Sequence, residues 1–136
     1  MIEIDCLTKR YGRNTVVDNL SFKCEPGEVL GFLGPNGAGK TTTMRMITGT
    51  LQPDEGAVLF DGAPIEDDLT EAKRRVGYLP EANPLYDEML VAEYLEHVAD
   101  LRGLTLDEAR SGIADAVDET GLSEVFYRPI AECSKG

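Results

Sequence analysis

Ten consecutive residues, GPNGAGKTTT from Gly34 to Thr43, combine three glycines, a lysine and a run of threonines. Within them the pattern Gly-x4-Gly39-Lys40-Thr41 matches the phosphate-binding loop motif at every fixed position. Glycines let backbone N–H groups approach phosphate oxygens, and the start of a following helix adds partial positive charge. Lysine then places an ammonium against the β and γ phosphates, and threonine offers its hydroxyl to Mg²⁺. The motif predicts a loop that binds a nucleoside triphosphate.

Two other interpretations of this loop compete with that prediction. A dinucleotide-binding turn is disfavoured, because reading from Gly37-x-Gly39 the third glycine position holds Thr42. A glycine-rich turn with an exposed lysine stays open, although the flanking sequence favours phosphate binding. The apolar run 29–33 predicts a strand buried on both faces before the loop. An amphipathic helix is expected after it, with one apolar face made of Met44, Ile47 and Leu51.

The secondary structure predicted around this loop is rich in strands in the first part of the chain and helical in the second. Alternating or apolar runs predict strands at 1–7, 16–17, 20–24, 57–60 and 76–79, and turn residues predict turns at 9–13 and 25–28. Helical spacing predicts a short helix at 70–75 and a longer one with the apolar stripe Val91, Tyr94, Leu95, Val98 and Leu101. Thr105 and Glu108 form a capping box that opens a further helix, ending at Gly121. We therefore predict a β-rich α/β part over residues 1–80 and a helical part over residues 81–136.

Composition narrows the class of protein. The 136 residues are 42% hydrophobic, which is ordinary for a globular domain. A formal charge of −12 repels a phosphate backbone and argues against nucleic acid as a partner. No apolar run approaches the roughly 20 residues that span a bilayer, and the first residues do not form a signal peptide. The three cysteines are widely separated, so neither a zinc site nor a disulfide framework is expected, and a cytoplasmic location is the default.

Around these motifs the whole chain resembles the ATP-binding subunit of ABC transporters. Phrases such as VGYLPE and NPLY are similar to those of bacterial multidrug-type and gliding-motility-type exporter ATPases. The resemblance implies an α/β P-loop NTPase fold of the ABC ATPase type, truncated before Walker B, with ATP and Mg²⁺ as cofactors. It assigns ATP binding to a set of residues near the N-terminus: Tyr11, Gly34, Pro35, Asn36, Gly37, Ala38, Gly39, Lys40, Thr41 and Thr42.

The resemblance also gives individual roles to residues of this sequence. Tyr11 matches the aromatic residue of the A-loop that stacks on adenine, a contact worth about 1–3 kcal/mol, unless it is simply an exposed turn tyrosine. Glu81 stands where the Q-loop usually has glutamine, which implies an Mg²⁺ contact beside Thr41; a solvated loop acid is the alternative. The last four residues match the start of the signature motif, so Ser134 and Gly136 would contact the γ-phosphate held by a second subunit.

The partners implied by the resemblance are a transmembrane permease subunit and a second nucleotide-binding subunit, in a homodimer or heterodimer. The location implied is cytoplasmic, peripheral on the inner face of the cell membrane. No Walker B acids are found, His97 is not expected to be catalytic, and no catalytic residue is assigned. Residues 1–136 are therefore expected to bind ATP without hydrolysing it. A soluble ABC-type ATPase that acts as a nucleotide-dependent binding module, or an inactive remnant, are the alternatives.

Overall fold

The computed structural model describes residues 1–81 and 85–134 and contains two compact units. The first unit, Met1–Tyr78, is built on an antiparallel sheet with the strand order β2-β1-β3-β4. Its strands are β1 Ile2–Tyr11, β2 Asn14–Cys24, β3 Glu55–Phe60 and β4 Ala63–Pro64. The strands predicted near the N-terminus and at 57–60 are confirmed. The turn predicted over 9–13 is wrong in its first three residues, because β1 continues to Tyr11 before a two-residue turn.

Two helices complete the first unit. Helix α1 spans Lys40–Ile47 and α2 spans Leu69–Arg74. The core lies where these helices and the sheet bury apolar side chains, namely Ile4, Leu7, Val17, Met46, Val58, Phe60, Ile65 and Ala72. The apolar face predicted for α1 is wrong at Met44, which is exposed, whereas Met46 is fully buried. Helix α1 is only eight residues long, and its buried residues are Thr43 and Met46.

A bulge in β1 fixes the pairing of the sheet. Cys6 adopts a positive φ of 50°, and its backbone N–H donates to the hydroxyl of Ser21 at 2.8 Å. Opposite this bulge, Gly56 of β3 has a φ of 82°. A Cβ on Gly56 would lie 2.3 Å from the carbonyl oxygen of Asp5 and 2.4 Å from that of Cys6. Since those contacts are far shorter than van der Waals distance, only glycine fits at this crossing of the two strands.

Two apolar runs that the sequence predicts as strands, 29–33 and 76–79, adopt no regular secondary structure. Val29 and Leu33 are 96% and 94% exposed, and Leu79 is also exposed. A strand needs backbone partners on at least one side, and no strand in the described residues pairs with either run. Both strand predictions are therefore wrong for this structure.

The second unit comprises the described residues from Leu79 onward. Its helices are α3 Val91–Leu101 and α4 Leu106–Thr120, followed by 3-10 turns at Leu122–Glu124 and Ile130–Glu132. The capping box at Thr105 is confirmed, as is the end of α4 at Gly121. The predicted apolar stripe of α3 fails at its last member, since Leu101 is 74% exposed. No helix within residues 1–81 and 85–134 combines the length and hydropathy needed to cross a bilayer.

Candidate nucleotide-binding site

The glycine-rich loop runs directly into α1. Its residues 34–38 are exposed, whereas Gly39 is buried and Lys40 begins the helix. A turn closes the loop through a hydrogen bond from the backbone N–H of Ala38 to the carbonyl of Pro35 at 3.2 Å. Gly37 and Gly39 both have a φ of 84°, in the left-handed region that glycine favours. The loop therefore exposes its backbone while its last residue is anchored in the fold.

Gly39 is anchored by contact with β2. A Cβ at this position would lie 2.5 Å from the carbonyl oxygen of Val16 and 3.1 Å from a methyl carbon of Val17. A Cβ at position 39 would therefore displace the backbone of either the loop or the strand. By contrast, a Cβ on Gly37 would meet no atom within 4 Å. The close packing of Gly39 on the sheet thus fixes where α1 begins.

The N-terminus of α1 carries no side-chain cap. Its N-cap residue is Gly39, and its first turn contains no acidic residue. Thr43 is bonded twice to the N-cap residue, because its backbone N–H and its hydroxyl both donate to the Gly39 carbonyl, at 2.8 and 3.0 Å. The backbone N–H groups of the first turn lack an intrahelical acceptor and carry the positive end of the helix dipole. Such an end attracts an anion.

Lys40 folds back over the loop. Its ammonium donates to the carbonyl of Gly34 at 2.5 Å and to that of Pro35 at 2.7 Å. The cation is therefore held at the start of the loop by two of its carbonyl groups. The next two residues of the helix are Thr41, which is exposed, and Thr42, which is half-buried. A hydroxyl oxygen is one kind of ligand that Mg²⁺ accepts, and a neighbouring ammonium pairs with phosphate oxygens.

Tyr11 and the loop are both attached to the same part of β2. Tyr11 pairs with Asn14 at the end of the β1–β2 hairpin. Two residues further along β2, the carbonyl of Val16 contacts Gly39. The Tyr11 residue is 51% exposed. Tyr11 and Gly39 therefore lie beside two positions of β2 that are only two residues apart.

The sequence interpretation missed two residues beside this ring. Lys9 lies with its ammonium 6.0 Å from the centre of the Tyr11 ring and forms an ion pair with Asp54 at 2.9 Å. The backbone N–H of Arg10 and the Lys9 ammonium hold the pKa of Asp54 below its ordinary value. Two residues of a strand that are two positions apart lie on the same face, so the spacing of Lys9 and Tyr11 could have predicted their contact. The contact was missed because a turn was predicted at 9–13.

The remaining predicted site residues belong to the second unit or fall outside the described residues. Glu81 and Ser134 are exposed, and Gly136 lies outside the described residues. Their roles stay predictions. His97 is half-buried, with its ring 5.8 Å from that of Tyr86 in an edge-on contact, which agrees with a packing role on α3.

Comparison with known proteins adds to this geometry. A family profile described as "ABC transporter" matches residues 17–136. Nod factor export ATP-binding protein I from Paraburkholderia xenovorans is 38% identical over 135 residues, which are 99% of this chain and 44% of that protein. The chain thus spans less than half the length of this relative.

Solved structures give the same picture. One described as the ATP-binding subunit of an ABC transporter superposes with a TM-score of 0.83 at 30% identity, covering 98% of this chain and 56% of that one. Another, cbiO1 from Clostridium perfringens, is described as part of the ABC transporter complex cbiONQ. It superposes with a TM-score of 0.82 at 25% identity, covering 98% of this chain and 55% of that one.

Proposed function

Since the chain belongs to the family of ABC transporter ATP-binding domains, we propose that it binds ATP through residues 34–42 and serves in the ATP-binding subunit of an exporter. The observation that supports ATP binding most directly is the uncapped start of α1 beside an exposed glycine loop. Backbone N–H groups, the helix dipole and the Lys40 ammonium all converge there. The helix dipole, which these N–H groups carry, and the Lys40 charge offset the −12 charge of the chain locally.

The same residues fit a bound Mg²⁺. Thr41 is exposed at the second position of α1, next to the lysine expected to contact the β and γ phosphates. When bound, the ion would neutralise charge that develops on the transferring phosphoryl group. We infer that Thr41 supplies one oxygen ligand, and the Mg²⁺ contact that the family resemblance implies for Glu81 stays a prediction. Adenine would stack on Tyr11.

ATP turnover requires groups that we do not find in residues 1–136. Hydrolysis needs an acid that helps hold Mg²⁺ and a second acid that polarises the attacking water. The acid that follows the apolar run of β3 is Asp61, and it is already engaged by the α-ammonium of Met1 at 2.6 Å and by Arg75. We therefore propose that a protein made of residues 1–136 alone binds ATP without hydrolysing it.

The partners follow from the family and from what its members are called. One relative is named for export, and one structural neighbour is described as part of a transporter complex. We propose that this chain works with a transmembrane permease subunit, at the inner face of the cell membrane. We further propose that Ser134 and Gly136 contact the nucleotide of a second ATP-binding subunit. Export by such a complex would use ATP binding and hydrolysis as its energy source.

Isothermal titration calorimetry of ATP with wild type, Lys40→Ala and Lys23→Ala tests the proposed binding site. Lys40→Ala removes the side-chain cation of the loop, and a charge-assisted contact of this kind is worth about ten- to hundredfold in affinity. Lys23 is a matched control, because it is an exposed strand lysine paired with Glu3 at 2.8 Å. We expect Lys23→Ala to bind ATP as wild type does.

The outcome that contradicts the proposal is equal ATP affinity in wild type and Lys40→Ala. Phosphate release, measured on residues 1–136 with Mg²⁺ present, is expected to stay at background. Turnover that disappears in Lys40→Ala would show that the catalytic acid lies within these residues after all.

A further inference from the structure

Lys9 is a nearly buried cation held in one place. Its side chain is only 13% exposed, although it lies on a small sheet with few buried polar groups. The ammonium donates to the carbonyl of Gln52 at 2.8 Å and to a carboxylate oxygen of Asp54 at 2.9 Å. Two acceptors from one neighbouring segment fix the position of the charge. A lysine held so firmly offers a rigid surface to whatever lies beside it.

The ring of Tyr11 lies beside this charge. The two residues are spaced by two along β1, so their side chains emerge from the same face of the strand. The ammonium is 6.0 Å from the ring centre, at the outer limit of the cation–π range. The cation thus lies near one side of the ring, and half of the Tyr11 residue is exposed.

The segment that holds Lys9 follows the phosphate-loop helix after a turn at residues 48–51. Residues 52–54 follow α1, and Asp54 is fastened to β1 at two further points. Its backbone N–H donates to the carbonyl of Thr8 at 2.9 Å, and its carboxylate accepts from the backbone N–H of Arg10 at 2.6 Å. Any displacement of α1 relative to β1 would therefore strain the contacts around Lys9. The end of α1 opposite the phosphate loop is tied to the strand that carries the ring.

We propose that Lys9 is a positioning residue that sets the Tyr11 ring at a fixed place relative to the phosphate loop, so that one nucleoside triphosphate meets both at once. The proposal rests on ATP binding at residues 34–42. Lys9 itself contacts neither base nor phosphate. Its effect is to reduce the conformations that the ring must lose when a base stacks on it.

A purely structural role for the Lys9–Asp54 ion pair makes a different prediction. An ion pair that only stabilises the sheet would affect every ligand of the folded protein alike. A residue that positions the base-stacking ring affects ATP and leaves inorganic triphosphate unchanged. The two roles are therefore separated by comparing the two ligands.

The test compares ATP and inorganic triphosphate by calorimetry in the protein as it is natively produced, with wild type, Lys9→Met and Lys9→Arg. Lys9→Met keeps the aliphatic stem and removes the charge. We expect it to lower the affinity for ATP about two- to fivefold, which is the value of an exposed cation–π contact, and to leave the affinity for triphosphate unchanged. Lys9→Arg should retain ATP affinity. In a Tyr11→Ala background, Lys9→Met should have no further effect.

Lys23→Met is the matched control, because it also removes a strand cation from an ion pair with a carboxylate. If Lys9→Met does not fold, Lys9→Gln serves instead, since it also removes the charge, and the same loss for ATP alone is expected. Equal losses for both ligands, or a loss that persists in the Tyr11→Ala background, would overturn the positioning role. Unchanged ATP affinity in Lys40→Ala would instead overturn the proposed binding site.

Discussion

The N-termini of α1 and α4 meet the same physical problem in opposite ways. Each helix begins with backbone N–H groups that have no acceptor in the helix. In α4 the sequence supplies the acceptors, because Thr105 and Glu108 bond each other's backbone and two acids lie in the first turn. In α1 the N-cap is glycine and the first turn has no acid. A helix start that the chain leaves uncapped is one that an external anion can occupy.

The short helix α2 shows that capping is the ordinary solution in the first unit too. Its N-cap residue, Asp68, accepts hydrogen bonds from the backbone N–H groups of Thr70 and Glu71, at 3.1 and 3.0 Å. An aspartate at the corresponding position of α1 would place a negative charge where a phosphate must lie. The difference between the helix starts therefore supports a ligand role for the uncapped end.

The largest effect on this comparison should come from Gly39→Ala. The new Cβ would lie 2.5 Å from the carbonyl of Val16, and alanine would also adopt a strained φ of 84°. The loop should relax to another shape. Because free energy is then needed to restore the binding shape, the affinity for ATP should fall by more than about a hundredfold. Calorimetry measures this loss. In the matched control, Gly37→Ala, the residue has the same φ but its new Cβ meets no other atom, so a loss of ATP affinity of about five- to thirtyfold is expected. Equal losses would show that packing on β2 is unimportant.

A smaller effect, on stability rather than on binding, is expected from Thr105→Ala. The substitution removes the hydroxyl that accepts from the backbone N–H of Glu108, and loss of such a cap costs about 1 kcal/mol. Urea unfolding followed by circular dichroism measures it, and ATP affinity should be unchanged. Asp107→Asn is the control, because it removes a first-turn charge without removing the cap. If Thr105→Ala were as stable as wild type, the two helix starts would not differ in the way described.

The smallest effect is a dependence on pH that only the capped helix should show. Hydrogen bonds from the Thr105 side chain and backbone hold the pKa of Glu108 below its ordinary value. A depressed carboxyl pKa stabilises the folded state above the unfolded pKa of about 4.3, and that contribution is lost as pH falls through the folded pKa. Hydrogen exchange of the first-turn amides of α4 should therefore speed up below about pH 4, after correction for intrinsic rates.

Glu108→Gln is expected to remove most of this pH dependence. The first turn of α1 has no acid, so its amides should show no comparable transition. Identical acid responses at the two helix starts would contradict the assignment of the cap to Glu108.

Local signals in the sequence predicted the helix ends around the candidate site well. The loop motif located the start of α1 near Lys40, and the pair Thr105 and Glu108 located the start of α4. Both signals depend on residues a few positions apart, so no knowledge of distant partners is needed. The helix end at Gly121 is of the same kind, because it depends on one residue with a positive φ.

Features that depend on distant partners were predicted less well. The run 29–33 has the composition of a buried strand, but a strand forms only when another pairs with it. The continuation of β1 to Tyr11 was missed for the opposite reason. Charged and glycine residues suggested a turn, whereas pairing with β2 extends the strand to the last residue before the turn. The contact between Lys9 and Tyr11 follows from that extension and was missed with it.

The crossing of Cys6 and Gly56 has a consequence for which amino-acid substitutions this sequence tolerates. Residue 56 admits no side chain, because any Cβ would collide with two carbonyl oxygens of the neighbouring strand. Residue 6 is under a milder constraint, since its φ of 50° is one that asparagine or glycine adopts more readily than cysteine. Among random variants selected for folding, position 56 should thus be invariant while position 6 changes freely between small polar residues. The two halves of one bulge would evolve at very different rates.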